Sequence, residues 1–352
     1  MSRHALTQEI LAMSSSNTPT QATPTQVRLN ARPSGLTTAS TWRMTHDASP
    51  ALQEGDLRVA VEYISVDPAM RGWLDDVRSY LPPVALGDVM RASGVGHVLE
   101  SRSPAFVAGD AVFGMTGVQS QYVGPAKGFF KVDPKLAPLP TYLGGFGSTG
   151  MTAYFGLLEV GQPKAGETVV VSAAAGAVGS VVGQLAKILG CRVVGIAGGA
   201  EKCRAVVEEF GFDACIDYQN ESVSEGLKKH CPNRIDIYFD NVGGKILDTC
   251  LTRLALRARV VVCGAISQYN ATERPAGPSN YLQLLVSRAR MEGFVVLDYA
   301  KQFPAAIARM AGWLADGKLK FSEHVVEGLD QFPDAINMLF SGKNTGKLIV
   351  KV

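Results

Sequence analysis

Residues 167–180 read Glu-Thr-Val-Val-Val-Ser-Ala-Ala-Ala-Gly-Ala-Val-Gly-Ser, and this run constrains the fold most. Thr168 to Ser172 is a β-branched, apolar stretch, the pattern of a strand buried on both faces of a parallel sheet. The turn Ala174-Ala175-Gly176-Ala177-Val178-Gly179 is a Gly-x-Gly-x-x-Gly fingerprint with alanine in the first place. Gly176 lets the backbone approach phosphates, and Gly179 lets the helix pack close to the strand. The helix expected over Ala177–Leu189 offers free N–H groups and a positive dipole end to an anion. It carries Val178, Val181, Val182, Leu185, Ile188 and Leu189 at helical spacing, and Gly190 ends it. A small-residue turn also occurs where a helix simply packs close to a strand. The next strand, Arg192 to Ala197, favours the nucleotide reading. It completes a β-α-β unit of roughly 30 residues, the context the fingerprint requires.

The end of that second strand selects the cofactor. An NAD site places Asp or Glu there, about 20 residues past the glycines, on the ribose 2′-OH. Here the sequence is Gly198-Gly199-Ala200-Glu201-Lys202, with no carboxylate at the strand tip. A 2′-phosphate is tolerated, and Lys202 or Arg204 can neutralise it. The expected cofactor is therefore NADP(H) rather than NAD(H). Glu201 must then point away. A solvated lysine at a helix start is the plain alternative for Lys202.

The chain's 352 residues suit two domains. Hydrophobic residues make up 46% and charged residues 19%, as in an ordinary soluble protein. The net charge of +2 comes without a basic cluster, which argues against nucleic-acid binding. No apolar stretch approaches membrane-spanning length. Residues 1–26, rich in Ser, Thr, Gln and Pro, lack the apolar core of a signal peptide and read as a disordered extension.

All six cysteines (Cys191, Cys203, Cys215, Cys231, Cys250 and Cys263) follow the fingerprint, and no two form a C-x-x-C pair. They read as free thiols in a reducing, cytoplasmic compartment. A catalytic zinc of the alcohol-dehydrogenase type needs Cys and His from an N-terminal domain. Residues 1–190 contain no cysteine, and His97 has no second ligand nearby, so it reads as structural. No metal is expected.

Residues 27–148 look β-rich, with alternating strands such as Leu57–Tyr63 and turns at Val66-Asp67-Pro68, Leu81-Pro82-Pro83 and Ala108-Gly109-Asp110. From Met151 the pattern alternates strand and helix. Strands are expected at 168–173, 192–197, 214–217, 235–239, 259–263 and 293–297, giving a six-strand doubly wound sheet. The tail reads as a helix (Ala305–Leu314), a strand (Glu323–Glu327), a helix (Pro333–Phe340) and a closing strand (Lys347–Val352).

Several further motifs are specific. They are Val66-Asp67-Pro68-Ala69-Met70-Arg71-Gly72, Ser79-Tyr80-Leu81-Pro82-Pro83-Val84, Gly198-Gly199-Ala200-Glu201-Lys202-Cys203, Tyr238-Phe239-Asp240-Asn241-Val242-Gly243-Gly244, Cys263 through Asn270, and Gly342-Lys343-Asn344-Thr345-Gly346-Lys347. With the fingerprint, they make residues 28–352 resemble the zinc-independent medium-chain dehydrogenase/reductases, in the branch of prostaglandin, alkenal double-bond and bacterial curcumin reductases. The resemblance implies a Rossmann doubly wound α/β domain at 149–310 and a β-rich, GroES-like catalytic domain at 27–148, completed by 311–352. It implies a homodimer that reduces the carbon–carbon double bond of hydrophobic α,β-unsaturated ketones and aldehydes with NADPH. By the same resemblance, Gly176, Ala177, Val178, Gly179 and Ser180 form the pyrophosphate turn. Lys202 and Tyr218 hold the 2′-phosphate, and Asn241 and Asn344 touch the cofactor. Cys263, Gly264, Ala265, Ile266, Ser267, Phe294, Val295 and Val296 lie near the nicotinamide. Ala69, where relatives often carry an aromatic residue, and Arg91-Ala92 depart from the family pattern at the substrate pocket.

The chemistry asks for a donor at the carbonyl oxygen, where charge develops only on the way to the transition state. Tyr269 is the candidate, since a tyrosine hydroxyl is neutral at pH 7 and can donate. Its alternative role is an aromatic wall of the pocket. Tyr80 is a candidate substrate contact, with structural packing as its alternative. Arg71 reads as the hydrogen-bonded anchor of a turn. A quinone oxidoreductase of the same superfamily and a non-catalytic NADPH-binding protein are the competing functions.

Overall fold

The computed structural model describes residues 23–352. The expected extension at 1–26 lies outside these up to residue 22, while Gln26 already belongs to the first strand. The N-terminal part builds β1 (Gln26–Leu29), β2 (Trp42–Thr45), β3 (Asp56–Ser65), α1 (Ala69–Gly72), β4 (Gly94–Ser101), β5 (Ala111–Gly114), β6 (Gln121–Pro125) and β7 (Phe130–Lys131). β3 is the hub. Its residues alternate between buried and partly exposed over most of its length, and it pairs antiparallel with β4 and with β6. Such alternation suits a sheet with one face on a core.

After α2 (Ser148–Phe155) the chain alternates regularly. β8 (Thr168–Ser172), α3 (Gly179–Ile188), β9 (Arg192–Ala197), α4 (Ala200–Glu208), β10 (Ala214–Asp217) and α5 (Val223–His230) form the first half. β11 (Ile235–Asp240), α6 (Gly244–Leu251), β12 (Leu254–Val262), α7 (Gln283–Ser287) and β13 (Arg290–Gly293) form the second. The strands make one parallel sheet in the order β10-β9-β8-β11-β12-β13. Renumbered within the sheet this is 3-2-1-4-5-6, the doubly wound dinucleotide fold. All five residues of β8 are buried, as a central parallel strand demands.

The sixth strand corrects the expectation. It runs over Arg290–Gly293, paired with Arg259–Val262 of β12, rather than over 293–297. The β-branched Val295-Val296 pair suggested the later position. Instead, Phe294 leaves the sheet and packs edge-on against Phe239 with centroids 6.5 Å apart, and a 3-10 turn begins at Val296.

The tail adds α8 (Phe303–Ala315), β14 (Glu323–Glu327), α9 (Phe332–Ser341) and β15 (Lys347–Lys351). β15 returns to the first sheet, antiparallel to β3 with Ile349 opposite Ser65, and β14 lies parallel beside it. One buried cluster runs from Val95, Tyr142 and Ile349 to Val169, Val193 and Val261, so the two sheets share a core.

Candidate functional site

The order of the parallel sheet reverses between β8 and β11, and ligands of such sheets bind outside the strands' carboxyl ends at that point. The fingerprint turn sits there. Ala173 leaves β8 at φ +50°, a left-handed conformation that folds the turn back. A Cβ on Gly179 would lie 2.3 Å from Ala173 O, and one on Gly176 would lie 3.1 Å from the same atom. The first bond of α3 runs from Ser180 N–H to Gly176 O at 3.0 Å. The amides of Ala177, Val178 and Gly179 thus precede the helical ladder, as N-terminal donors do. This cradle of bare backbone fits a pyrophosphate.

The C-terminal return closes over it. Gly346 N–H donates to Ala175 O at 2.8 Å, and Gly346 bridges Gly176 in parallel fashion. The Asn344 amide donates to Gly346 O at 3.2 Å, which holds Asn344 beside the turn. Lys202, on the first turn of α4, donates to Gly342 O at 2.7 Å, and burial lowers its pKa. Lys202 makes no ion pair among the described residues, and Glu201 is exposed. Tyr218 is exposed at the end of β10. A Cβ on Gly198 would lie 2.9 Å from the Tyr218 hydroxyl, so the glycine lets that ring approach the tip of β9. Lys202 is thus tied to the tail segment that carries Asn344, and Tyr218 lies at the tip of β9, which leads into α4.

Across the switch point, Asp240 closes β11. It is almost fully buried and accepts from Tyr238 O–H at 2.8 Å, Gly243 N–H at 2.9 Å, Val242 N–H at 3.1 Å and Ser172 Oγ at 3.2 Å. Burial raises its pKa and these donors oppose the rise. Asn241 N–H donates to Ser172 Oγ at 2.9 Å and its Nδ2 to Ser172 O at 2.7 Å, stapling the ends of β8 and β11 together. The loop after β12 lies on this staple. Cys263 and Gly264 donate to Asp240 O, Ile266 N–H to Asn241 O, and Ser267 Oγ to Val242 O at 2.6 Å. Burial pushes the Cys263 thiol up to about 12, so it stays protonated at neutral pH.

Tyr269 is half-buried on the same loop. Its hydroxyl accepts Ala265 N–H at 3.2 Å and donates to no acceptor among the described residues. Burial raises its pKa; the Ala265 bond opposes this, while the Cys263, Tyr80 and Asp240 groups reinforce it. Tyr80 thus reaches the neighbourhood of Tyr269 from the other domain, with its ring largely exposed. A Cβ on Gly264 would lie 2.8 Å from the Tyr269 hydroxyl, so the glycine leaves room for that oxygen. Phe294, Val295 and Val296 follow the carboxyl end of β13, on the same edge of the sheet.

Residues 25–132 match a family described as the N-terminal domain of oxidoreductase, and residues 177–312 one described as zinc-binding dehydrogenase. The NADPH-dependent curcumin reductase of Escherichia coli is 41% identical over 329 residues, covering 92% of this chain and 95% of that one. The 2-alkenal reductase (NADP(+)-dependent) of Nicotiana tabacum is 46% identical over 304 residues, 85% of this chain and 88% of that one. The crystal structure of CurA from Vibrio vulnificus in complex with NADPH superposes with a TM-score of 0.88 at 43% identity, covering 93% of this chain and 99% of that one. The chain is a medium-chain dehydrogenase/reductase. It belongs to the branch of the curcumin, alkenal and prostaglandin reductases.

In this medium-chain reductase, several supports of the site were not singled out from sequence. Asp240 and Ser172 carry the switch-point staple. A buried carboxylate ending an apolar strand (Ile235 to Phe239) is the signal that could have marked Asp240. Gly346, at φ +68°, leaves no space for a side chain, since a Cβ would lie 2.2 Å from Ser322 O. Arg71, expected to anchor a turn, does more. Its buried guanidinium bonds Gly35 O at 2.9 Å, Pro33 O at 3.3 Å, Asp75 at 2.7 Å and Asn270 Oδ1 at 3.1 Å. It therefore ties α1 to the residue after Tyr269. His97 meets Glu62 across β3 and β4. Among the described residues, no group of three or more His, Cys, Asp or Glu side chains could hold a metal ion.

Proposed function

We propose that this protein uses NADPH to reduce the carbon–carbon double bond of hydrophobic α,β-unsaturated ketones and aldehydes. The observation that carries the reading is the Tyr269 hydroxyl. It accepts one backbone amide, donates its own proton to no group among the described residues, and lies at the carboxyl edge of the parallel sheet. Gly176 to Ser180 would hold the pyrophosphate, and Lys202, Tyr218 and Asn344 the 2′-phosphorylated adenosine. Asn241, the Cys263–Ser267 loop and Phe294–Val296 would border the nicotinamide. When bound, NADPH supplies the hydride that the β-carbon of the enone receives. Tyr269 then donates its O–H as a hydrogen bond to the carbonyl oxygen as enolate charge develops there, in a partly buried site where such a bond counts for more than in water, and a proton from solvent at the α-carbon completes the saturated carbonyl. Ala265 fixes the phenol from behind, and Arg71, through Asn270, fixes the loop that carries it. Tyr80 lines the substrate side.

Saturated product should form from a panel of enones with equimolar NADPH oxidation. Oxidation of NADPH by quinones with no turnover of any enone would overturn the reading. Tyr269→Phe should slow enone reduction roughly tenfold or more, the loss of one transition-state hydrogen bond, with NADPH affinity unchanged. Because the phenol's pKa lies above its ordinary value near 10, the donor form persists through neutral pH and is lost only on the alkaline side. A Tyr269-dependent rate that is already lost as the pH is raised to about 9, short of the ordinary tyrosine range, would exclude this residue as the donor.

We also propose a homodimer. β13 is an edge strand, and near it Tyr281, Leu282, Leu285 and Val286 are more than half exposed. An open strand edge beside an apolar patch is unstable against association, and a second copy related by a two-fold axis covers both. Sedimentation should give a dimer that Leu285→Glu with Val286→Lys converts to a monomer; a monomeric wild type would refute it. The free thiols support a cytoplasmic location.

A further inference from the structure

Two thiols that the proposed reaction does not use meet beside Lys202. Cys203 Sγ on α4 and Cys215 Sγ on β10 lie 2.7 Å apart. That is within an ångström of a covalent S–S bond, about 2.05 Å. Both side chains are partly exposed, whereas Cys191, Cys231 and Cys250 are buried. Their backbones are held in place independently of the sulfurs. Asp217, at the end of β10, accepts Gly199 N–H at 2.7 Å and so fixes the start of α4. Cys215 itself is locked in the sheet opposite Gly195. The remaining gap to a covalent bond is well under an ångström.

We propose that Cys203 and Cys215 are a dithiol site that a hydroperoxide oxidises to a disulfide. The Cys203 thiolate attacks the peroxide, the O–O bond breaks, and a sulfenic acid forms with release of an alcohol or water. Cys215 then attacks that sulfur, the S–S bond forms, the S–O bond breaks, and water leaves. The two thiols lose two electrons and two protons in all, and the peroxide is reduced by the same two electrons. The division of roles follows from the environment. Burial raises the pKa of both thiols, and the Asp217 and Glu221 carboxylates raise that of Cys203 too; within the pair the Cys215 S–H donates to Cys203 Sγ, which favours the thiolate on Cys203 over that on Cys215. Cys203 is therefore the attacking thiol and Cys215 the resolving one.

The full chain can be treated with tert-butyl hydroperoxide, its remaining thiols alkylated, and its peptides mapped by mass spectrometry. The expected result is a peptide pair joined through Cys203 and Cys215, reversed by dithiothreitol, with the other four of the six cysteines still alkylated. Cys215→Ser should leave Cys203 as a sulfenic acid that dimedone traps, and Cys203→Ser should abolish both products. Loss of thiols without that linkage, linkage through any other cysteine, or full alkylation after treatment would each overturn the proposal.

Discussion

Gly179→Ala should weaken NADPH binding by about 3- to 30-fold. The added methyl would sit 2.3 Å from Ala173 O, 2.9 Å from Ala173 C and 3.0 Å from Ala174 Cα. All three are backbone atoms, so no rotamer change relieves the contact. Helix propensity opposes the effect, since alanine gains up to about 1 kcal/mol over glycine inside a helix. Overpacking against fixed atoms costs about 1–3 kcal/mol, and each 1.4 kcal/mol is tenfold in affinity. The strain is relieved by backing α3 away from β8, which pulls the Ala177–Gly179 amides off the phosphate position. Calorimetric titration of NADPH measures the loss, with the thermal midpoint of the variant as a control for folding. A dissociation constant within twofold of wild type would remove the phosphate turn from the proposed site.

Lys347→Met should cost about 3–5 kcal/mol of folding stability, the usual penalty for breaking a buried ion pair from one side. Lys347 is 3% exposed and donates to Asp67 at 2.7 Å and to Val66 O at 2.8 Å. Burial lowers its pKa and the Asp67 carboxylate opposes that shift. Methionine keeps the length of the side chain but leaves the Asp67 carboxylate without a counter-charge, held among the described residues only by the Ser65 hydroxyl, and the Val66 carbonyl without this donor. The pair joins β15 to the end of β3, so its loss loosens the tail as well as the sheet. Urea unfolding checks this through the midpoint at constant slope. Replacing both Asp67 and Lys347 by apolar residues should restore much of the loss, because no lone charge then remains. A single variant within about 1 kcal/mol of wild type would mean that Asp67 finds water or another donor instead.

The parallel sheet was legible because fully buried strands leave an uninterrupted apolar signature. The expected spans 192–197 and 214–217 coincide with β9 and β10. The sixth strand was misplaced because at the sheet's edge only one side is paired, and a β-branched pair in a loop looks the same. The glycines of the phosphate turn announced themselves through backbone geometry. Asp240 did not, since what it does depends on Ser172, distant in sequence, and Arg71 is legible as a turn anchor but not in its bond to the remote Asn270. Lys202 was found for its charge, but its bond to Gly342 could not have been read from local pattern.

The pairing of β15 with β3 has a consequence for synthesis. β3 ends at residue 65, yet its neighbour on one side is residues 347–351. A ribosome must translate nearly everything between them before that hydrogen-bonded row can form. Until then β6 covers the Asp56–Ala60 part of that edge, the Tyr63–Ser65 end stays open, and the phosphate turn lacks Gly346 as its cover. Contacts of such long sequence separation slow folding, because the loop entropy is lost before they reward it. The phosphate turn therefore gains its Gly346 cover only at the end of synthesis, after the whole nucleotide-binding sheet has been made.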